Sequence, residues 1–351
     1  MVSILADRVD VVVGVDAHAD TLTATLVTAV GVFVDELTVP ADGRALSLLG
    51  AWADRHAAGQ RRVWVIDGSR SYGVGLLRQL RATGEAVAEA PRIGRGARRG
   101  TGKSDSIDAA LIARAALAAG TVAEPRADGI REALRILLVT RRHHSDTRTA
   151  TVNLLKSLIV TADEDLRQQL RGRSTAVQLG YLLDLDDQPT SNQLTRIIRQ
   201  QLVDLARRTA ELDRILKANK AEINALVGQS CPALLDEPGV GPITAATALC
   251  AWSHRGRVRN EAAFAALAGT NPIPASSGKT VRHRLNRGGD RTLNRALHTI
   301  ATVRRRVHQP TRDYVARRTH EGKTDPEINR CLKRYLSRRL FRIMQANATL
   351  A

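Results

Sequence analysis

Residues 9–16 read Val-Asp-Val-Val-Val-Gly-Val-Asp. A run this dense in β-branched residues predicts a buried strand over Val9–Val15 that delivers Asp16 to its end. Thr23–Thr28 and Val32–Val39 follow, separated by Gly31, and predict antiparallel partners. Ala41–His56 has helical spacing. Val63–Ile66 is a short apolar strand ending in Asp67, Ser71–Ala82 is helical, and Ala86–Ala90 is strand-like and stopped by Pro91. Ser104–Ala119 predicts a strong helix with Ser104 placed to cap it. The order β-β-β-α-β-α-β-α predicts an α/β domain over residues 1–125, a mixed sheet flanked by helices.

Beyond it the chain reads as all-α. Arg131–Thr161 is one long helix candidate. Ile198, Leu202, Leu205, Thr209, Leu212, Leu216, Asn219, Ile223 and Leu226 alternate spacings of four and three, a heptad seam with the polar Asn219 inside it. Residues 126–230 therefore predict a helical, coiled-coil-like linker. An intramolecular hairpin with Arg131–Thr161 and an intermolecular coil fit the seam equally, since periodicity does not separate them. Asp184–Asn192 reads as a loop. Residues 231–351 predict a third, helical unit. Leu234–Trp252 holds Pro238-Gly239-Val240-Gly241-Pro242, Asn260–Ala268 is a short helix, and residues 269–289 form a long loop or irregular hairpin. Asp290–His308 and Pro326–Gln345 are basic helices.

The chain has 351 residues, enough for two or three domains with buried cores. Lys and Arg total 53 against 35 acids, a net charge of +18 that calls for a polyanionic partner, most commonly nucleic acid. Aromatic content of 3% is too low for a single-strand stacking platform, so phosphate contacts should dominate. Cys231, Cys250 and Cys331 are odd in number and show no metal-ligand spacing, which fits a reducing cytoplasm. The N-terminal residues lack the pattern of a signal peptide, and no apolar stretch is long enough for a membrane span. A cytoplasmic, nucleoid-associated protein is expected.

Asp16 and Asp67 each close a strand, and Asp105 and Asp108 lie three apart in the first turn of a helix, on one face. Four carboxylates so placed predict a site for hard divalent cations, Mg²⁺ or Mn²⁺, acting on phosphodiesters. Any one of these acids alone reads as a helix start or a strand end; the combination matches an RNase H/RuvC-like plan. His18, His143 and His144 have no ligand cluster in the sequence and read as structural or surface residues.

The chain resembles the DEDD transposases of bacterial insertion sequences that are guided by a bridge RNA. Their G-[IV]-D strand end is matched by Gly14-Val15-Asp16, and their E-x-x-G-x-Y-like segment by Asp67 to Tyr72. Their K-[ST]-D-x-x-D-A helix start is matched by Lys103 to Ala109. The P-G-[IV]-G and A-G-x-x-P segments appear as Pro238–Gly241 and Ala268–Pro272. The family has Glu where this chain has Asp67, and Ser69 and Arg70 also depart from its pattern. The resemblance implies a transposase that cleaves and rejoins DNA, with Asp16, Asp67, Asp105 and Asp108 as metal-binding catalytic residues. It implies a serine nucleophile, which counting from Ala268-Gly269 places on Ser277 with Ser276 its neighbour. It further implies a noncoding guide RNA, donor and target DNA as partners, and a dimer or tetramer with a composite site.

Arg92, Arg95, Arg98, Arg99 and Lys103 stand among glycines in residues 92–103 and are expected to meet nucleic-acid backbone. The following Thr101-Gly102-Lys103-Ser104 imitates a nucleotide-binding loop, but the first Gly of that motif is absent and Asp105 would repel a triphosphate. Gly239 and Gly241 form a helix-hairpin-helix-like turn expected to aim amides at phosphate. Lys279, Arg282 and Arg284 surround Ser277. Two rival readings stand beside the recombinase. One is a metal-dependent nuclease that hydrolyses without rejoining; the other is a nucleic-acid-binding protein without catalysis.

Overall fold

The computed structural model describes residues 5–93, 104–119, 122–185, 192–275 and 283–349. The chain divides into two compact units, Met1–Arg126 and Ala127–Ala351.

The first unit is built on a five-stranded sheet in the order β3-β2-β1-β4-β5. Its strands are β1 (Val11–Ala17), β2 (Thr21–Thr28), β3 (Phe33–Pro40), β4 (Arg62–Ile66) and β5 (Val87–Glu89), with α1 (Ala45–Ala57), α2 (Val74–Ala82) and α3 (Asp105–Ala118) interleaved. β1 runs antiparallel to β2 and parallel to β4, and β5 continues parallel to β4. This is the mixed sheet, flanked by helices, of the RNase H/RuvC-like plan expected from the sequence. Every residue of β1 is buried, because helices cover both faces. Val11, Val13 and Val15 pack with Leu49, Trp52, Leu76 and Leu80 of α1 and α2. Val12 on the other face joins Val63 and Val65 of β4 with Ile112, Ala113 and Ala116 of α3.

Gly14 shares the α3 face with Val12, and it sets how closely that helix can lie. A Cβ on Gly14 would stand 2.2 Å from the Ala109 carbonyl oxygen and 2.8 Å from the Ala113 amide. Only a residue without a side chain lets the helix backbone rest on the strand. Ser104 starts α3 as expected, its hydroxyl accepting from the Ile107 amide at 3.2 Å. Two helices begin later than their periodicity predicts. The Asp42 carboxylate binds the Arg44 amide at 2.8 Å, holding a turn ahead of α1. The stretch from Asp67 to Gly73 is a turn around Gly68, whose φ of 60° is left-handed, so α2 starts at Val74.

In the second unit α4 (Ile130–Thr161) and α7 (Gln193–Ser230) form a helical hairpin, with α5 (Glu164–Leu170) and α6 (Thr175–Leu183) at its far end. Asn219 Nδ2 donates to the Leu137 carbonyl at 3.0 Å, and Arg141 donates to the Leu216 carbonyl at 2.7 Å. Arg148 pairs with Asp213. The pairing numbers run in opposite directions along the two helices, so they are antiparallel. The heptad seam thus faces this chain's own α4, and Asn219 bonds to backbone there.

α8 (Pro242–Trp252), α9 (Glu261–Leu267), α10 (Arg291–Val307), α11 (Gln309–His320) and α12 (Asp325–Asn347) complete the unit. Leu134 of α4 and Ile223 and Val227 of α7 share one core with Trp252, Phe264, Leu297, Leu340 and Met344. A division of the chain at residue 231 cuts through that core. The reason is continuous burial: the ends of α4 and α7 pack on each other and on the C-terminal helices in one cluster. The two-residue strands β6 (Ile273–Pro274) and β7 (His283–Arg284) pair antiparallel, which makes the expected loop an irregular hairpin. α11 has no counterpart among the helices read from the sequence. All three cysteines are free thiols.

Gly14→Ala is expected to lower stability by about 1–3 kcal/mol or more, the usual cost of overpacking a filled core. Gly50→Ala in α1 is the control. No heavy atom lies within 4 Å of its added Cβ, so it should be neutral or should stabilise by roughly 0.5–1 kcal/mol. Urea unfolding of the two variants reads the difference; equal midpoints for Gly14→Ala and the unmutated protein would show that α3 does not rest on β1 in this way.

Candidate metal centre

Asp16 is carried on β1 two residues beyond Gly14, so its carboxylate lies on the α3 face. It is 8% exposed. Asp105 is the first residue of α3, one turn before the Ala109 that meets Gly14. The close strand–helix contact therefore brings these two acids together. His18 lies two positions past Asp16 and shares its face. Its Nε2 is 3.2 Å from Asp16 Oδ2 and 3.5 Å from Asp105 Oδ1. One ligand atom from each of Asp16, His18 and Asp105 lies within 4.8 Å of the other two. Burial pushes the Asp16 carboxyl above its ordinary range; His18 opposes the rise, and the nearby Asp108 and Asp105 add to it.

Asp108 is one turn further along α3 and close enough to Asp16 to act on its ionisation, but it is outside that three-atom grouping. Asp67 follows β4. Its amide donates to the Val15 carbonyl at 2.9 Å, so its backbone adjoins the residue before Asp16. Its own carboxylate accepts from the Gly68 amide at 2.8 Å and is exposed. The structure thus unites Asp16 and Asp105, keeps Asp108 near, and places Asp67 one strand away with its oxygen bound to the next amide. His18, read from the sequence as a structural or surface residue without a ligand cluster, stands half exposed beside two of these acids. The signal available in the sequence was its parity: Asp16-Ala17-His18 at a strand end puts acid and imidazole on one face.

Two buried or half-buried carboxylates repel each other unless a cation or proton intervenes. Oxygen donors on a strand end and a helix start, with an imidazole between them, fit a divalent metal ion.

The basic segments are described in part. Arg92 is exposed at the end of the stretch after β5. Arg95, Arg98, Arg99 and Lys103, and likewise Ser276, Ser277, Lys279 and Arg282, lie outside the described residues. Arg284 is exposed on β7. The base of that hairpin is tightly built. Asn286 donates to Asn271 at 2.6 Å, and the Asp290 amide donates to the Leu267 carbonyl at 2.6 Å. Gly289, with φ 89°, has no room for a side chain, since a Cβ would lie 2.5 Å from the Leu267 carbonyl. Lys333 of α12 donates to Asn294, which donates to the Ala268 carbonyl at 2.7 Å. Burial, with Arg330 nearby, holds the Lys333 ammonium below its ordinary pKa.

Gly239 and Gly241 have a different environment from the one expected. Gly239 has φ 79°, and a Cβ there would meet the Ile300 carbonyl and the Arg304 side chain of α10 at 3.0 Å. The Val240 amide donates to the Glu237 carbonyl and the Gly241 amide to Thr244 Oγ1, both at 3.0 Å. These amides are engaged within the turn, so the segment acts as a packing joint. Burial raises the Glu237 carboxyl, but hydrogen bonds from Arg339 and Arg304 outweigh that and hold it low. Sequence reasoning did not single out four further exposed cations. Arg287, Arg291, Arg295 and Arg306 are exposed and make no ion pair among the described residues. Three of them lie on α10.

Among the described residues no helix is long and apolar enough to cross a membrane. Residues 13–162 match a family model described as a transposase of the IS110 DEDD type. Residues 231–316 match the model of the transposase IS116/IS110/IS902 family. A relative from Streptomyces coelicolor, an uncharacterized 43.6 kDa protein of insertion element IS110, is 26% identical across 64% of this chain. That match spans 66% of the relative's length, just under two thirds. One matched segment includes Asp16, Asp67, Asp105 and Asp108 and the other includes Ser277, so the chain is similar to IS110-family transposases in both regions.

Proposed function

We propose that the protein is an RNA-guided DNA recombinase that cuts and rejoins strands through Ser277. The observation that carries the reading is the convergence of Asp16 and Asp105 across the Gly14 contact. With Asp108 on the same helix and Asp67 on the neighbouring strand, they form the ligand set for Mg²⁺ or Mn²⁺. When bound, such an ion polarises the phosphate and offsets its charge. The protein's part is to hold Asp16 and Asp105 together with Asp108 and Asp67 near, and the cation's charge would keep these acids ionised.

Ser277 Oγ attacks the DNA phosphorus. A serine–phosphate bond forms, the bond to the leaving deoxyribose oxygen breaks, and the hydroxyl proton ends on that oxygen. The covalent phosphoester conserves the bond, so a second strand's hydroxyl can reverse the step. Lys279, Arg282 and Arg284 hold the attacked phosphate. Arg92, Arg95, Arg98, Arg99 and Lys103, together with the net charge of +18, support binding of DNA and of a structured guide RNA. Exposed Val139, Leu154, Val160 and Leu194 on the α4–α7 hairpin support assembly of a dimer or tetramer through that element.

Trapping on a nicked suicide substrate is expected to give a protein–DNA adduct that survives denaturant. Ser277→Ala should lose the adduct and recombination yet still bind DNA, and Asp105→Ala should lose strand cleavage while remaining folded. If the adduct maps to Ser276 the chemistry stands on the adjacent residue. Normal cleavage by Ser277→Ala, with no adduct, would establish a hydrolytic nuclease.

Protein purified from cells that carry the whole element should bring down one defined RNA, with affinity falling steeply as salt rises. Site-specific activity that persists after RNase treatment would refute guidance.

Asp16→Asn should abolish activity and raise Tm in metal-free protein. An acid whose folded pKa is raised costs stability as pH climbs through it, because folding disfavours the ion. The Tm gain should narrow as pH falls and vanish well below the carboxyl's ordinary 3.8, where Asp16 is protonated in both states. A gain that persists unchanged at acid pH would assign the effect to something other than ionisation.

A further inference from the structure

We propose that His18 is itself a metal ligand, its Nε2 joining one oxygen each of Asp16 and Asp105, and that it biases the site toward transition-metal ions such as Mn²⁺ over Mg²⁺. The assignment rests on the metal-dependent reading above. It adds a nitrogen donor that the pattern of four acids does not contain.

The geometry favours coordination over a simple ion pair. Neighbouring ligands of a six-coordinate ion at 2.0–2.1 Å are about 3 Å apart. Nε2 is 3.2 Å from one carboxylate oxygen and 3.5 Å from the other. An imidazole nitrogen carries at most one proton and can donate it well to one acceptor at a time. Here one nitrogen stands within reach of oxygens from two different elements, at the vertex where a cation would be shared.

His18 is also held there. β1 ends at Ala17, and the His18 amide donates to the Thr21 carbonyl at 2.9 Å, closing the turn into β2. The backbone of the ligand is thus fixed at the start of the β1–β2 turn. The ring itself is half-exposed, so packing does not account for its position. Nδ1 can carry the proton of the tautomer that leaves the Nε2 lone pair free to bind.

A nitrogen donor changes which ion the site prefers. Mg²⁺ favours oxygen ligands and retains its waters, whereas affinity for imidazole rises along the first-row series. Two carboxylates with one imidazole is a mixed donor set that Mn²⁺ accepts readily.

The test uses the full chain, stripped of metal and titrated with Mn²⁺. Pulsed electron paramagnetic resonance should show a directly bound nitrogen, and labelling the histidines with ¹⁵N should change that signal. His18→Ala should lose it and bind Mn²⁺ at least about tenfold more weakly, the lower end of what losing even an outer-shell partner of a metal ligand costs. Mg²⁺ affinity, read by competition, should fall by less. The label experiment needs no variant, so it stands if His18→Ala folds poorly. Mn²⁺ binding that Asp16→Ala removes and His18→Ala leaves intact, with oxygen-only spectra, overturns the assignment alone. Unmutated protein that binds no Mn²⁺ overturns it together with the metal-dependent reading.

Discussion

The first unit depends on one close approach, the backbone of α3 lying on β1 at Gly14. The Ala109 carbonyl and the Ala113 amide occupy the space a side chain would need. Helix and strand dock at this distance only where small residues meet, and α3 supplies Ala109, Ala113 and Ala116 on its buried face. The consequence is geometric. Asp16 is two residues from the contact along the strand, and Asp105 one turn from it along the helix. A helix standing off by the width of a larger side chain would carry Asp105 away from Asp16. The candidate metal centre is thus set by a packing residue that carries no chemistry.

Much of this could be read from residue order. Period two along Val11–Ala17 puts Asp16 on one face, and Ser104 with three-residue spacing puts Asp105 and Asp108 on another. The antiparallel pairing of β2 with β3 followed from their β-branched runs and the turn at Gly31. What could not be read is how side chains resolve local competition. Asp67 binds the Gly68 amide, a choice available to any acid before a left-handed glycine. His18 looked isolated because its partners come from an element almost ninety residues away in sequence as well as from its own strand. Periodicity reports which face a residue occupies and is silent about what arrives opposite it.

The helical unit shows the same limit differently. The heptad seam of α7 was evident, yet an internal and an external partner produce the same repeat. The backbone bonds of Asn219 and Arg141 to α4 identify the internal one. The glycines at 239 and 241 suggested amides aimed at phosphate. The left-handed Gly239 seats the turn against α10, and Glu237 beside it pairs with Arg304 of α10 and Arg339 of α12. A turn motif defines backbone shape, and the same shape serves anion binding or packing according to whether its amides are already engaged.

Charge connects the two ends of the argument. On the proposed function, a net charge of +18 would draw nucleic acid to the surface, and the phosphodiester would then have to approach carboxylates. Asp16 is buried, and Asp105 and Asp108 lie close to it, so the site disfavours its own ionisation. Bringing a phosphate to it without a cation would add a further negative charge to groups that already repel one another. A divalent cation removes both penalties together, since it offsets the acids and attracts the phosphate. The imidazole between Asp16 and Asp105 lies where that compensation is needed.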